Sequence, residues 1–350
     1  MTDRIPILID CDTGIDDSLA LLYAAASPEA EIVAVTCCSG NVEAHQVARN
    51  TLAVLELAGR TDVEVALGRT VPLVRPLEIT PETHGPQGLG HAELPEPTRP
   101  LSDRHAADVI TEAARERPGE ITLVTLGPMT NLAVALDREP TLPTLLKRLV
   151  FMGGAFRVPG NTTPTTEWNI HCDPEAARRV FAAFAASPRH PLGLGLDVTE
   201  KARILPEHVV ELARRAGSRP DDSIALAHGE HPLVATRSVA ANPIVRYVAD
   251  ALRFYMEFHA RYDGFYGAFI HDPLALAAAL DPSLVTSRAV HVDVDTAGGL
   301  ADGQTIADWR GLTGKPANID VAVEAAADEF LRRFIERVGG LAEQRSDVAL

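Results

Sequence analysis

Short apolar runs at 5–9, 32–35, 63–66, 121–126, 149–152 and 192–196 alternate with amphipathic helical stretches, and no linker-like break interrupts the pattern. Runs this short and this evenly apolar suit strands buried on both faces, the environment of a parallel sheet covered by helices. The helical stretches are 16–26, 44–58, 106–117, 173–186, 206–215 and 245–262, several opening on Asp, Asn or Pro and closing at Gly. Strand, loop, helix, repeated, predicts an α/β fold: an open, mainly parallel, doubly wound (Rossmann-like) sheet flanked by helices, with its active site at the carboxyl ends of the strands. Residues 1–340 read as one domain and 341–350 as a loosely held C-terminal tail. Two stretches break the rhythm, 70–100 with seven prolines and 217–242 with mixed His, Pro and Ser, and both read as lids or binding loops.

Charge narrows the partners. With 32 Lys+Arg against 48 Asp+Glu the net charge is −16, and the longest basic run is a dipeptide such as Lys147-Arg148. That leaves no face to displace counterions from a phosphate backbone, so nucleic acid is not an expected partner. No apolar run approaches the ~18 residues of a membrane span, and the opening MTDRIPILIDCD is too short a stretch for a signal peptide's apolar core, so a cytoplasmic protein is expected. Cys11, Cys37, Cys38 and Cys172 lack metal-type spacing and read as small buried hydrophobes.

The segment Ile7-Leu8-Ile9-Asp10-Cys11-Asp12-Thr13-Gly14-Ile15-Asp16-Asp17 places four carboxylates within eight positions at the end of a buried strand. Carboxylates crowded together raise one another's pKa and resist ionisation unless a cation or strong donors compensate. Hard oxygen ligands without neighbouring His or Cys favour Ca²⁺ or Mg²⁺ over zinc. The plainer reading has Asp16 capping the next helix while Asp10 and Asp12 make turn hydrogen bonds.

DCDTGIDD followed by Ser-Leu-Ala-Leu resembles the DxDPGxDD signature of the nucleoside hydrolases, the inosine-uridine preferring N-ribohydrolases, with Thr13 in place of the proline. Further motifs of that family follow in order: Ser39-Gly40-Asn41, His84-Gly85 through Gly88-Leu89-Gly90, Leu126-Gly127-Pro128-Met129-Thr130-Asn131, Met152-Gly153-Gly154, Gly160-Asn161 through Glu167-Trp168-Asn169, Asp173-Pro174-Glu175-Ala176-Ala177 and His271-Asp272-Pro273. The resemblance spans about residues 5–335.

It implies hydrolysis of the N-glycosidic bond of ribonucleosides to free base and ribose, in nucleoside salvage, through an oxocarbenium-like state. Asp12, Asp17, Asp272 and the Leu126 carbonyl are then calcium ligands, with Asp16 the base that activates a calcium-bound water. Asn41, Asn161, Glu167 and Asn169 form a ribose clamp beside Met152, His271 assists base departure, and His84 lies near sugar or base. Positions 255, 258, 259 and 262 share one helical face, so Tyr255, Phe258, His259 and Tyr262 either meet the nucleobase or pack the core, and His259 and Tyr262 are taken as base contacts. Asp173-Pro174-Glu175 reads as a helix start. A homodimer or homotetramer is the expected assembly.

Three alternatives stand beside this reading. One is hydrolysis of a specialised N-riboside, such as a nicotinamide or cytokinin riboside. Another is a haloacid-dehalogenase-type phosphatase, since Asp10-Cys11-Asp12-Thr13 also resembles the DxDxT signature of that family. The third is a riboside-binding protein without turnover.

Overall fold

The structure is a computed structural model, and it describes residues 4–218 and 237–346. Its centre is a sheet of eight strands: β1 (Ile5–Cys11), β2 (Ala30–Cys37), β3 (Glu64–Leu67), β4 (Thr122–Thr125), β5 (Arg148–Met152), β6 (Leu192–Leu194), β9 (Val285–Val290) and β12 (Ile319–Ala325). Their spatial order is β3-β2-β1-β4-β5-β6-β12-β9. All neighbours run parallel except β9, which pairs antiparallel with β12 at the edge. Two ribbons complete the β-structure, β7 (Arg203–Ile204) with β8 (Ala268–Phe269) and β10 (Val292–Val294) with β11 (Thr305–Ala307).

The doubly wound parallel architecture expected from the alternation is present. Side chains on β1 point alternately to two layers. Ile7 and Ile9 join the core under the helices Ile15–Ala26, Ala44–Leu57, Pro243–Tyr262, His271–Leu280 and Ala327–Gln344, while Leu8 joins the opposite layer under Ala106–Glu116, Thr130–Arg138 and Pro174–Phe184. The Ala-rich helix His271–Leu280 is buried on every side, which its sequence HDPLALAAAL permits because nothing in it after Asp272 needs water.

Chain order reverses at β1: the chain passes from β1 through β2 to β3 on one side, then returns to β4 on the other. Such a switch leaves a crevice at the strand carboxyl ends where connections part in opposite directions. β1, β2, β4 and β5 all open into it.

Two differences from the sequence reading concern the end of the chain. The strands β9 and β12 and the helix Ala327–Gln344 lie beyond the predicted alternation. That helix does not stop at Gly340; it runs to Gln344, with Leu341 and Ala342 buried and the Asn242 side-chain amide donating to the Ala342 carbonyl at 2.6 Å. Gly339 in its middle lies against the helix Pro206–Arg215, where a Cβ would meet Arg215 Cβ at 2.9 Å, so close packing explains a residue that otherwise weakens a helix. The predicted lid at 217–242 falls largely on 219–236, outside the described residues, as do 347–350 of the predicted tail. The four cysteines are free and buried. Among the described residues no helix is long and apolar enough to cross a membrane.

Candidate active site

Asp12 directly follows β1 and is fully buried. Its Oδ2 accepts the Asn41 backbone N–H at 2.7 Å, and its Oδ1 has no hydrogen-bond partner. The carboxylate is wedged between two backbones that only glycine allows so close: a Cβ on Gly40 would meet Asp12 Oδ2 at 2.0 Å, and one on Gly127 would meet Oδ1 at 2.6 Å. Asp17, in the first turn of the next helix, accepts the N–H of Asp12 at 3.2 Å, that of Gly14 at 2.9 Å and the Asn41 side-chain amide at 3.1 Å. Asp272 arrives from the first turn of His271–Leu280. One carboxylate oxygen from each of Asp16, Asp17 and Asp272 lies within 4.8 Å of the others.

Burial raises the pKa of all four acids, and repulsion from the neighbouring carboxylates adds to it for Asp12, Asp16 and Asp272. Asp16 is pushed up to about 8, first by burial and then by the Asp17 charge. Asp12 and Asp272 are raised well above the ordinary range for the same reasons in the same order. Asp17 is raised by burial, against the backbone donors it accepts. Four buried carboxylates, an orphaned Asp12 oxygen and an all-oxygen donor set fit a hard divalent cation, whose charge would reverse each of these shifts. The cation cluster closes on Asp16 rather than Asp12, so the expected division between ligands and base is not marked by proximity alone.

Asp10 takes the structural part. Its Oδ1 accepts the Thr36 hydroxyl at 2.6 Å and the Asn131 amide at 2.8 Å, and burial lifts its pKa to about 7. Thr13, where the family signature has proline, pairs its hydroxyl with that of Thr51 at 2.7 Å, so a side-chain bond holds the turn that a ring would otherwise stiffen.

Above the acids lies a cavity of ≈ 480 Å³, within the range of small-ligand sites. Asp16, Asn41, His84, Leu126, Met152, Asn161, Glu167, Asn169, His259, Tyr262, His271 and Asp272 all line it, while Asp12 and Asp17 lie beneath its floor. Glu167 caps the short helix Trp168–Cys172: Oε1 accepts the Asn169 N–H at 2.8 Å, and Oε2 accepts those of Gly154 and Ile170 at 2.9 and 3.1 Å. The Asn169 amide donates to the Leu126 carbonyl at 2.5 Å and faces the Met152 carbonyl and sulfur at 3.2 and 3.3 Å. Asn161 is exposed on the rim, its Oδ1 accepting the Trp168 N–H at 3.0 Å, and Tyr262 is 57% exposed.

Three histidines face the same space. His84 Nδ1 accepts the Ile15 N–H at 3.1 Å, which leaves the ring proton on Nε2. His271 Nδ1 lies 2.8 Å from the Thr199 hydroxyl. Burial, reinforced by neighbouring histidines, lowers both to about 3, so both are neutral imidazoles in the cation-free protein. His259 is buried too, with Nδ1 2.7 Å from Asp263. Tyr255 and His259 of the helical stripe are buried and also line the cavity. Thr199, Glu200, Asp263 and Phe269 were not legible as site residues; only the four-residue spacing of His259 and Asp263 carried a signal. Asp173 caps Pro174–Phe184 as expected, accepting the Ala176 N–H at 3.0 Å, and also ties down Thr130 and Leu73.

The chain matches the family model described as inosine-uridine preferring nucleoside hydrolase over residues 7–332. It is 38% identical over 336 residues to the pyrimidine-specific ribonucleoside hydrolase RihA of Salmonella gallinarum, covering 95% of this chain and 98% of that one. Among solved structures it is similar to a purine-preferring ribonucleoside hydrolase from Gardnerella vaginalis, with TM-score 0.84, 32% identity, and 97% of this chain and 99% of the other covered. It is also similar to the plant nucleoside hydrolase PpNRh1, with TM-score 0.82, 31% identity, and 96% and 99% covered. Carboxylate floor, cavity lined by amides and acids, fold and full-length similarity agree: the chain belongs to the inosine-uridine preferring nucleoside hydrolase family and is a ribonucleoside hydrolase.

Proposed function

We propose that this enzyme is a calcium-dependent hydrolase of ribonucleosides, yielding free base and ribose, with pyrimidine ribosides as its first candidate substrates. The observation that carries the reading is the convergence of Asp12, Asp16, Asp17 and Asp272 beneath a cavity lined by Asn41, Asn161, Glu167 and Asn169. The pyrimidine preference rests on the 38% identity to a relative of that name. Family membership sets aside the phosphatase and the non-catalytic alternatives. The nicotinamide or cytokinin riboside alternative stays a substrate to be assayed.

Asp12, Asp17, Asp272 and the Leu126 carbonyl would hold the calcium. Bound there, it supplies Lewis-acid polarisation of a water and of ribose hydroxyls. Asp16, at the cavity surface beside Asp17 and Asp272, takes the proton of the attacking water. Asn41, Asn161, Glu167 and Asn169 orient the ribose, and Met152 packs beside it. The sugar must flatten as C1′ becomes cationic, and a clamp that fits the flattened ring lowers the barrier. His271 assists departure of the base and His84 lies near sugar or base, with His259 and Tyr262 beside the base. A homodimer or homotetramer in the cytoplasm, each subunit one domain over 1–340, completes the reading.

The test is a panel of pyrimidine, purine and nicotinamide ribosides assayed for reducing sugar, with and without chelator. Uridine or cytidine should lead and chelation should abolish turnover. Undiminished activity in chelator removes the cation from the reading, and a nicotinamide riboside in first place replaces the substrate.

A further inference from the structure

The proline-rich stretch 70–100 delivers Thr80, Glu82, Thr83 and His84 to the cavity. His84 begins a wall of rings there: His84, Tyr255, His259, Phe269 and His271 follow one another at centroid separations of 5.5, 4.7, 4.8 and 5.8 Å. The segment around His84 is turned tightly on itself. The Gly85 N–H donates to the Pro81 carbonyl at 2.9 Å, the Gly88 N–H to the Gly85 carbonyl at 3.1 Å and the Gly90 N–H to the His84 carbonyl at 2.8 Å. A displacement within 81–90 is therefore carried to the His84 ring.

Asn50, on the helix Ala44–Leu57, fastens that segment to the loop Asp12-Thr13-Gly14 beside the acid floor, and it is 3% exposed. Its Oδ1 accepts the Gln46 side-chain amide at 2.8 Å, which leaves both Nδ2 protons facing the other way. Nδ2 donates to the Thr13 carbonyl at 3.1 Å and to the Gln87 carbonyl at 2.8 Å, so one amide spans two loops that are far apart in sequence. Gly88 shows how closely they approach. At its φ of +85° a Cβ would meet Asn50 Nδ2 at 2.9 Å and the Thr13 carbonyl oxygen at 3.3 Å. The two sides depend on this staple unequally. The acid loop keeps the Asp12 and Gly14 N–H groups on Asp17 and the Thr13–Thr51 hydroxyl pair. Among the described hydrogen bonds, residues 85–90 reach that loop only through Asn50.

We propose that Asn50 is a positioning residue for nucleoside turnover, fixing the register between the acid floor and His84 from outside the cavity. The assignment deepens, and rests on, the ribonucleoside hydrolase reading. Asn50 itself does not line the cavity, so it acts through the segment it holds. A nucleoside seated on the floor meets His84 productively when floor and segment share one rigid frame, and loose placement of either lowers the fraction of bound substrate in reactive geometry. Without the amide, the Thr13 and Gln87 carbonyls lose a donor. The side with fewer other ties, the His84 segment, then moves.

The experiment pairs Asn50→Leu, which keeps the bulk and removes both donors, with Gly88→Ala, which forces the same two loops apart from the other side. Each should lower kcat/KM on uridine by about 10²-fold, while calcium binds with wild-type affinity by calorimetry because the acid loop keeps its own ties. His84→Ala should cost about as much. Asn50→Leu added to His84→Ala should then cost little more, since the ring that the staple positions is already gone. A role in stability alone predicts the reverse: the losses multiply, and calcium affinity falls along with turnover. Should Asn50→Leu fail to fold, Gly88→Ala carries the same comparison with His84→Ala. Wild-type kcat/KM in both variants, losses that multiply with His84→Ala, or calcium binding lost in both would each overturn the assignment. Wild-type protein that turns over no riboside would bring down the underlying hydrolase reading, a result distinct from all of these and seen before any variant is made.

Discussion

The floor of the cavity takes three of its four acids from the turn and first helical residues after β1, with Asp272 arriving from the first turn of His271–Leu280, whereas the ring wall hangs largely on the helix Pro243–Tyr262 and the short strand β8. The floor is charged, anchored by backbone N–H groups and crowded enough to raise every pKa in it. The wall is aromatic, with its histidines lowered by burial. On the proposed reading the difference follows the two halves of the substrate. A ribose and its attacking water need fixed oxygen ligands and a base, while a nucleobase needs a flat apolar slot with few polar groups.

If the floor reads the sugar, the largest effect should come from taking a hydroxyl away. kcat/KM for uridine over 2′-deoxyuridine should differ by about 10⁴-fold, because a missing hydroxyl strands buried polar partners. Steady-state kinetics on the pair checks it, and comparable values would dissolve the distinction between floor and wall. Next, Asp16→Ala should lower kcat by about 10²–10⁴-fold with substrate binding retained by calorimetry. A variant with near-normal kcat would move the base elsewhere.

A third measurement concerns the floor alone. Asp10 at about 7 and Asp16 at about 8 are raised above their unfolded value of 3.8, so the folded, cation-free protein binds more protons than the unfolded chain between pH 4 and 8. Their contribution to stability is complete below pH 4 and is lost as pH rises through those values, at about 1.4 kcal/mol per pH unit for each proton so bound. In chelator, Tm should therefore fall from pH 6 to pH 8. Calcium should remove that slope and stabilise most at pH 8, where fewer protons compete with it. A flat Tm in chelator would show that the acids do not repel as their placement implies.

Those acids were the most legible part of the molecule. DCDTGIDD follows an apolar run, and a strand's carboxyl end is where an open parallel sheet binds ligands. The inner strands were legible for the same reason: burial on both faces forces unbroken apolar runs such as Ile5–Cys11 and Arg148–Met152. β9 escaped because VTSRAV interleaves polar residues, as an exposed antiparallel edge allows, and β12, paired on both sides, because Asp320 and Glu324 interrupt the apolar run of IDVAVEA. In the wall, Thr199, Glu200 and Phe269 meet His271 and His259 only through tertiary packing, and no local pattern announces them.

The smallest expected effect lies just beneath the floor. Asn131→Ala removes the amide that binds Asp10 Oδ1 and the Cys37 carbonyl, leaving buried acceptors short of a donor. It should cost about 1–3 kcal/mol in denaturant unfolding with uridine kcat close to wild type. A large loss of turnover without loss of stability would place Asp10 in the chemistry after all.

The two glycines that flank Asp12 close off one route of variation. A single methyl group at position 40 or 127 would occupy the volume of a carboxylate oxygen. Alanine at either position would push aside Asp12, the acid proposed to hold the cation. The wall is confined in the same manner at one ring, since a Cβ on Gly14 would meet His84 Nδ1 at 2.6 Å.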